Sequence, residues 1–338
     1  MVGAFSRILR AYVKNWLLRK RQPVVLAHML TYRCNMRCHY CTYWRWNSYE
    51  MSKTEVERMI RDAADAGLAV YTATGGEPML RRDISEVLRT AKDSGLYTML
   101  VTNGLLLERF NNLNVDLLTI SLDTLSREKF RRITGVDALD RVVESVRKAS
   151  QSVQTCINVV LHDENLDEVE VLVTFADNVG AGITFEPVSV YFEGCAGVSE
   201  ERLKRAVERI IELRREFDCI WNSEHYLNLI LSGGKFRCIP HLLLRVNPDG
   251  SVVSPCYEVD YVTAGNVRFT NLAEIIESEA YAEGCRMAES CRGCYLLCYA
   301  EPSMAFSSLR WAVKTLREIV GARLLRRNGL VSLKGNGR

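Results

Sequence analysis

No run of eighteen apolar residues occurs in this 338-residue chain, and a helix needs about that length to cross a bilayer, so no membrane span is predicted. Proline is scarce, at 7 residues, and no Pro/Ser-rich or low-complexity tract breaks the chain into independently linked domains. A cleavable leader pattern is missing from the first residues. So are a nucleic-acid motif and an aromatic stacking platform, which argues against RNA or DNA as a partner. What the chain has in quantity is cysteine, 12 residues. Without a secretory leader, that many thiols point to a reducing, cytoplasmic setting and to metal or cluster binding, not to disulfides. Hydrophobic residues make up 48%, enough for a large core.

Three of the cysteines fall in one short run, Thr31-Tyr32-Arg33-Cys34-Asn35-Met36-Arg37-Cys38-His39-Tyr40-Cys41, directly after the apolar stretch Val24 to Leu30. A 4Fe-4S cubane normally takes four thiolates. The spacing C-x3-C-x2-C supplies three, which would leave one iron open for chemistry. A zinc knuckle or a ferredoxin-type electron carrier uses similar elements.

Six apolar, β-branched runs follow one another, Val24 to Leu30, Ala69 to Ala73, Tyr97 to Thr102, Leu117 to Ser121, Val153 to Leu161 and Ile183 to Pro187, each trailed by an amphipathic helical segment. The first helix is announced by a capping box, Ser52-Lys53-Thr54-Glu55, and stopped by Gly67. Repeated βα units predict a parallel sheet with right-handed crossovers, and in barrels the active site lies at the C-terminal strand ends. Those ends carry Thr74-Gly75-Gly76-Glu77-Pro78, Thr102-Asn103-Gly104, Ser121-Leu122-Asp123 and, within the fifth run, Asn158. Paired glycines suit close backbone approach to a ligand.

The cysteine loop with Tyr40 before its third thiol, followed by this series of strand-end motifs, resembles the radical S-adenosylmethionine (radical SAM) family. The resemblance implies a partial (β/α)6 TIM-like barrel of the α/β class. It implies that Cys34, Cys38 and Cys41 ligate a 4Fe-4S cluster whose open iron is chelated by the methionine moiety of SAM. Gly75, Gly76 and Glu77 would then hold the SAM amino group, and Tyr40, Asn103, Ser121, Asp123 and Asn158 would line the rest of the cofactor. In such enzymes an electron from the cluster, delivered by a donor such as ferredoxin or flavodoxin, cleaves SAM, and the resulting 5'-deoxyadenosyl radical takes hydrogen from a substrate.

A second cysteine group follows. Cys238 and Cys256 bracket a Pro248-Asp249-Gly250 hairpin signal, and Cys291, Cys294 and Cys298 lie beyond it. The pattern resembles a shortened SPASM or twitch extension, which implies one auxiliary 4Fe-4S cluster held by Cys238, Cys256, Cys298 and one or both of Cys291 and Cys294. Cys285 is a further candidate ligand, and a zinc ribbon is the alternative. Cys156, Cys195 and Cys219 stand outside any ligand spacing and are expected to be buried small hydrophobes. His39 is expected to be unconstrained, and His162 and His241 to be packing or surface residues. The expected organisation is a basic amphipathic segment (1–22), the radical SAM core (23–230), a small cysteine-rich extension packed on the barrel's open side (231–302) and a basic tail (303–338).

A net charge of +3 hides a segregation, with +13 at the two ends and −10 between them. In residues 1–22, Phe5, Ile8, Leu9, Tyr12, Val13, Trp16 and Leu17 share a helical face with Arg7, Arg10, Lys14, Arg19, Lys20 and Arg21 largely elsewhere; Met304, Phe306, Leu309, Val313, Leu316 and Val320 repeat the pattern at the other end. Such segments suit a membrane interface, here the inner surface, or equally a barrel with solvated basic faces. Three functions follow: modification of a membrane lipid drawn towards the barrel mouth, which some lipid-modifying relatives with a basic N-terminal segment suggest; maturation of a ribosomally made peptide, although only residues 1–23 precede the first strand and leave no room for the peptide-binding domain many such enzymes carry; and electron carriage by two clusters without catalysis.

Overall fold

The structure is a computed structural model that describes residues 2–109, 113–188, 198–254, 256, 262–288, 291 and 294–307. Strands β1 (Val25–Met29), β2 (Val70–Thr74), β3 (Tyr97–Thr102), β4 (Leu117–Ser121), β5 (Thr155–Leu161) and β6 (Gly182–Pro187) pair in parallel in that order. The helices are α1 (Val2–Trp16), α2 (Lys53–Asp65), α3 (Ile84–Asp93), α4 (Arg127–Thr134), α5 (Leu139–Ser152), α6 (Val169–Val179), α7 (Glu200–Leu213), α8 (Glu224–Leu231), α9 (Leu272–Glu277), α10 (Glu279–Met287) and α11 (Leu297–Ser307). All six strands fall within a residue or two of the runs read from the sequence. The fifth begins later than expected because α5 runs to Ser152 and Val153 caps it. The α2 capping box forms in both directions, Glu55 N–H donating to the Ser52 hydroxyl and Ser52 N–H to the Glu55 carboxylate.

Side-chain alternation decides what each face of the sheet does. Tyr71, Ala73, Leu100, Leu118 and Ile120 are buried against the helices, where Val56, Met59, Ile60, Ile84 and Leu88 complete the main core. The intervening Thr72, Met99, Thr119 and Ser121 are only half-buried. A sheet sealed on one face and open on the other is the partial barrel expected, with its inner face forming a trough.

The cysteine-rich extension both lengthens the sheet and reaches its open face, where α11 meets β1 and β6. Its strand β7 (Leu243–Val246) pairs in parallel with the free edge of β1, Val25 opposite Leu243, and β8 (Ser251–Ser254) and β9 (Val262–Asn266) continue antiparallel. The result is one nine-stranded sheet in the order β6-β5-β4-β3-β2-β1-β7-β8-β9. The Pro-Asp-Gly turn forms between β7 and β8, with Gly250 at φ +86° in the left-handed region. Pairing occurs here because Leu243 to Val246 is a fully buried run, apolar but for Arg245, that can cover an edge strand which would otherwise expose its hydrogen-bonding groups.

Helix α1 closes the strand-start end of the barrel. Ala4 and Ala11 are buried, and Ile8 packs with Ala11, Val24, Ala69 and Leu242. Arg7 donates to the carbonyls of Leu68 and Ser94 at 3.1 and 3.2 Å. The apolar face serves both readings at once: Ile8 and Tyr12 turn inward, while Leu9, Val13, Trp16 and Leu17 remain 58, 41, 52 and 65% exposed. Phe306 stacks on Tyr12 at 4.8 Å and Met304 is buried, so the start of the C-terminal pattern packs inward as well. Leu309, Val313, Leu316 and Val320 lie outside the described residues. No described helix is long and apolar enough to cross a membrane.

Two histidines are held neutral by this packing. His28, on the helix side of β1, shares a 3.1 Å hydrogen bond with the Tyr71 hydroxyl, and His241 shares one of 2.8 Å with Asn15. Burial lowers their pKa to about 3 and about 4, with nearby Arg81 and Arg21 adding to the effect. Both folded values lie below the unfolded value of about 6.5, so their stabilisation is complete above that pH and is lost as pH falls. Acidification from pH 6.5 towards 4 should lower the thermal midpoint, and His241→Gln should make that fall shallower, because one group that titrates only on unfolding is gone.

Candidate active site

The cysteine loop leaves the C-terminal end of β1 and is fixed by backbone hydrogen bonds on two sides. On one, Gly76 N–H donates to the Thr31 carbonyl at 2.7 Å and Glu77 N–H to that of Arg33 at 2.8 Å; on the other, Arg37 and His39 N–H donate to the last carbonyls of α4, Thr134 and Ile133. Helix-end carbonyls lack partners within the helix, so the loop and the helix satisfy one another. Arg33 adds a two-pronged ion pair to Glu50, Nε and Nη2 at 2.8 and 2.9 Å.

The paired glycines act here in a way the sequence did not suggest. A Cβ on Gly75 would stand 2.4 Å from the Thr31 carbonyl oxygen, and one on Gly76 would stand 2.4 Å from that of Arg33. The close approach they permit is between two backbones. Their glycine character keeps the second strand-end loop seated under the cysteine loop.

Cys34, Cys38 and Cys41 lie within electrostatic range of one another. Burial raises the Cys34 and Cys38 thiols, Cys38 strongly. The Cys34 sulfur also accepts the Met36 N–H at 3.4 Å and the Asn103 amide at 3.9 Å, contacts that favour its thiolate. Three clustered thiols, with donors already aimed at one sulfur, fit an iron-sulfur cluster, since metal displaces the thiol protons that burial would otherwise retain.

Each predicted carboxylate is engaged within the protein. Glu77 is 0% exposed and accepts from Met79 N–H, the Thr102 hydroxyl and Asn103 N–H at 3.0, 2.8 and 2.8 Å. It ties the end of β2 to that of β3. Asp123 accepts the Tyr40 hydroxyl at 2.6 Å and Val160 N–H at 2.9 Å, and its pKa is pushed up to about 6 because burial outweighs these bonds. Asn103 donates to the Asn35 side chain at 2.6 Å. Ser121 and Asn158 stand opposite each other on the trough face.

Two residues that sequence reasoning passed over join this neighbourhood. Glu186, at the end of β6, accepts from Asn158 at 3.1 Å; strand alternation placed it on the trough face with Thr184, but no motif marked it. Glu164 lies 3.4 Å from His39, whose ring meets that of His162 edge-on at 5.2 Å. His39 is thus tied to Glu164 and His162 instead of being unconstrained, and His162 is one of the packing residues expected.

The second thiol group assembles on the trough face towards the strand-start end. Cys256 packs with Leu243, Leu296 and Tyr299 beside Cys238, Cys294, Val25 and Ala27. Cys238 lies within electrostatic range of Cys256 and Cys291, and Cys298 within range of Cys294 and Cys256. Burial pushes the Cys238 thiol up to about 12. Five thiols therefore converge, both Cys291 and Cys294 among them. Cys285 instead packs in the main core beside Ser254, 3.9 Å from its hydroxyl. Cys156 and Cys219 are buried; Cys195 lies outside the described residues.

Comparison with known proteins agrees with this arrangement. Residues 29–176 match the Radical SAM superfamily, and residues 193–318 match a domain of unknown function, DUF3463. Proteins named Probable GTP 3',8-cyclase are similar in sequence: that of Pyrococcus abyssi is 38% identical over 169 residues, 47% of this chain and 55% of the relative, and that of Saccharolobus islandicus 33% over 196 residues, 54% and 63%. The chain thus spans little more than half the length of the curated relatives it matches. In fold it is similar to Streptococcus suis SuiB bound to precursor peptide SuiA, with a TM-score of 0.69 at 18% identity over 85% of this chain and 75% of that one. Native anSMEcpe with bound AdoMet gives a TM-score of 0.62 at 18% identity, over 91% and 99%. With three clustered thiols at the mouth of a partial barrel and a superfamily match over residues 29–176, this chain carries a radical SAM domain followed by a DUF3463 domain.

Proposed function

We propose that Cys34, Cys38 and Cys41 hold a 4Fe-4S cluster at the barrel mouth, that SAM lies over the trough face reached by Ser121 and Asn158, and that the five C-terminal thiols hold an auxiliary cluster. When bound, the first cluster supplies the electron that cleaves SAM to a hydrogen-abstracting radical, with ferredoxin or flavodoxin as the donor class. The chain's own residues do the placing. Glu77 reaches the cofactor through the Thr102-Asn103 turn that it clamps, and the Asp123–Tyr40 bond sets the height of the cysteine loop over β4. The convergence of Cys34, Cys38 and Cys41 above a polar trough carries this reading, and it leaves the pure electron carrier without support.

For the substrate we propose a membrane lipid. Its support is the exposed face of Leu9, Val13, Trp16 and Leu17 beside the exposed Arg10, Arg19, Lys20 and Arg21. Because α1 covers the strand-start end, a bilayer there would lie opposite the mouth, and a lipid would travel along the trough instead of dropping into the mouth. A peptide is the second reading, favoured by the fold likeness to SuiB, which has been seen with a precursor peptide.

Anaerobic reconstitution should give about eight irons per chain, two cubanes' worth. Replacing Cys34, Cys38 and Cys41 by Ala should leave about half and abolish SAM cleavage; zinc in the second group would contradict the auxiliary cluster. Gly76→Ala should also cost the first cluster its iron while sparing the second, since only the first loop rests on that glycine.

Changing Leu9, Val13, Trp16 and Leu17 to Ser should abolish binding to anionic vesicles while leaving substrate-free SAM cleavage intact, because the inward Ala4, Ile8 and Ala11 are kept. Wild-type binding should weaken with salt, as surface charges are screened over about 8 Å at physiological ionic strength. Co-sedimentation measures both, and binding unchanged in the Ser variant would leave the peptide reading ahead.

A further inference from the structure

Glu186 ends β6 on the trough face, and its two oxygens serve two different parts of the molecule. Oε1 accepts from the Asn158 amide at 3.1 Å, and because a carboxylate can only accept it turns the Asn158 NH2 towards itself, leaving the Asn158 oxygen to accept from the Thr184 hydroxyl at 3.0 Å. Oε2 accepts from the backbone N–H of Leu297 at 3.3 Å. Leu297 is the first residue of α11 and precedes Cys298, whose thiol lies within electrostatic range of the same carboxylate. The first N–H groups of a helix have no partner inside it, and a carboxylate there is favoured by the helix dipole as well as by the bond.

Two neighbouring anchors keep this end of the extension from moving independently. The Tyr226 hydroxyl donates to the Tyr295 carbonyl at 2.6 Å, and Ser223 N–H donates to Glu301 at 2.8 Å. Glu186 touches both α11 and, in Asn158, a side chain assigned to the SAM side.

We infer that Glu186 is a positioning residue that couples the Asn158 amide to the α11 turn carrying Cys298, so that a change at the auxiliary site is felt in SAM binding. The inference rests on reading the five C-terminal thiols as an auxiliary cluster. A glutamine offers one acceptor and one NH2 group where two donors point at Glu186, so it must either lose a contact or turn the Asn158 amide over, and either changes what Asn158 presents to the trough.

The test uses the reconstituted full chain. Equilibrium SAM binding is measured on enzyme with both clusters, and the electron paramagnetic resonance spectrum of the reduced auxiliary cluster is read in the background lacking Cys34, Cys38 and Cys41. Glu186→Gln should weaken SAM binding by about fivefold, the loss of one hydrogen bond, and should shift the auxiliary spectrum. Leu297→Pro is the sharper probe. It removes the N–H at a position where a helix tolerates proline and leaves Asn158 untouched, yet it should weaken SAM binding too, whereas Leu297→Ala, which loses the same core-packed side chain but keeps the N–H, should not. Eight irons in the wild type with SAM affinity unchanged by Leu297→Pro would overturn the coupling alone. A wild type with four irons would remove the auxiliary cluster and the coupling with it.

Discussion

The pairing of β1 on both of its edges is the constraint on which the rest depends. Its register with β2 brings Met29 level with Thr74, so the cysteine loop and the Gly75-Gly76 loop emerge side by side; its register with β7 sets the hairpin that Cys238 and Cys256 flank. The two thiol groups are consequently referenced to one five-residue strand, one group beyond its C-terminal end and the other against Val25 and Ala27 near its start. At 3.3 Å per residue such a strand spans about 13 Å. The separation of the two groups is thus built into a sheet and does not hang on a linker.

Buried carboxylates do the remaining alignment, and they do it in one recurring way. Glu77 receives an N–H from the next strand's end, Asp123 one from Val160 on β5, and Glu186 one from α11. A buried carboxylate with too few donors is costly. Each of these therefore holds its donors as firmly as they hold it, and misplacing any strand end would leave an acid uncompensated.

The cysteine loop, the strand order and the hairpin were legible because their signals are local: thiol spacing, alternation, a capping box, Pro-Asp-Gly. The role of Gly75 and Gly76 was not, because the atoms they make room for belong to Thr31 and Arg33, more than forty positions earlier in the chain. Spacing could not separate Cys285 from the five converging thiols, since that depends on which face of α10 meets Ser254. The split of the α1 stripe was hidden for the same reason. Amphipathicity marks an apolar face but not how much of it the barrel covers, and here Ile8 and Tyr12 are taken while Leu9 and Val13 are left. Glu186 and Glu164 had no motif at all; only the sheet's closure makes neighbours of Glu186 and Leu297.

The hydrogen bonds that pin the cysteine loop all come from polypeptide: the Thr31 and Arg33 carbonyls below and the α4 carboxyl-end carbonyls beside it. The Cys34 sulfur adds weaker contacts with Met36 N–H inside the loop and the Asn103 amide beside it. The seat of the loop is thus set mainly by backbone groups that every residue type but proline possesses, so most side chains of the loop can be exchanged to alter the surroundings of the thiols without unseating them.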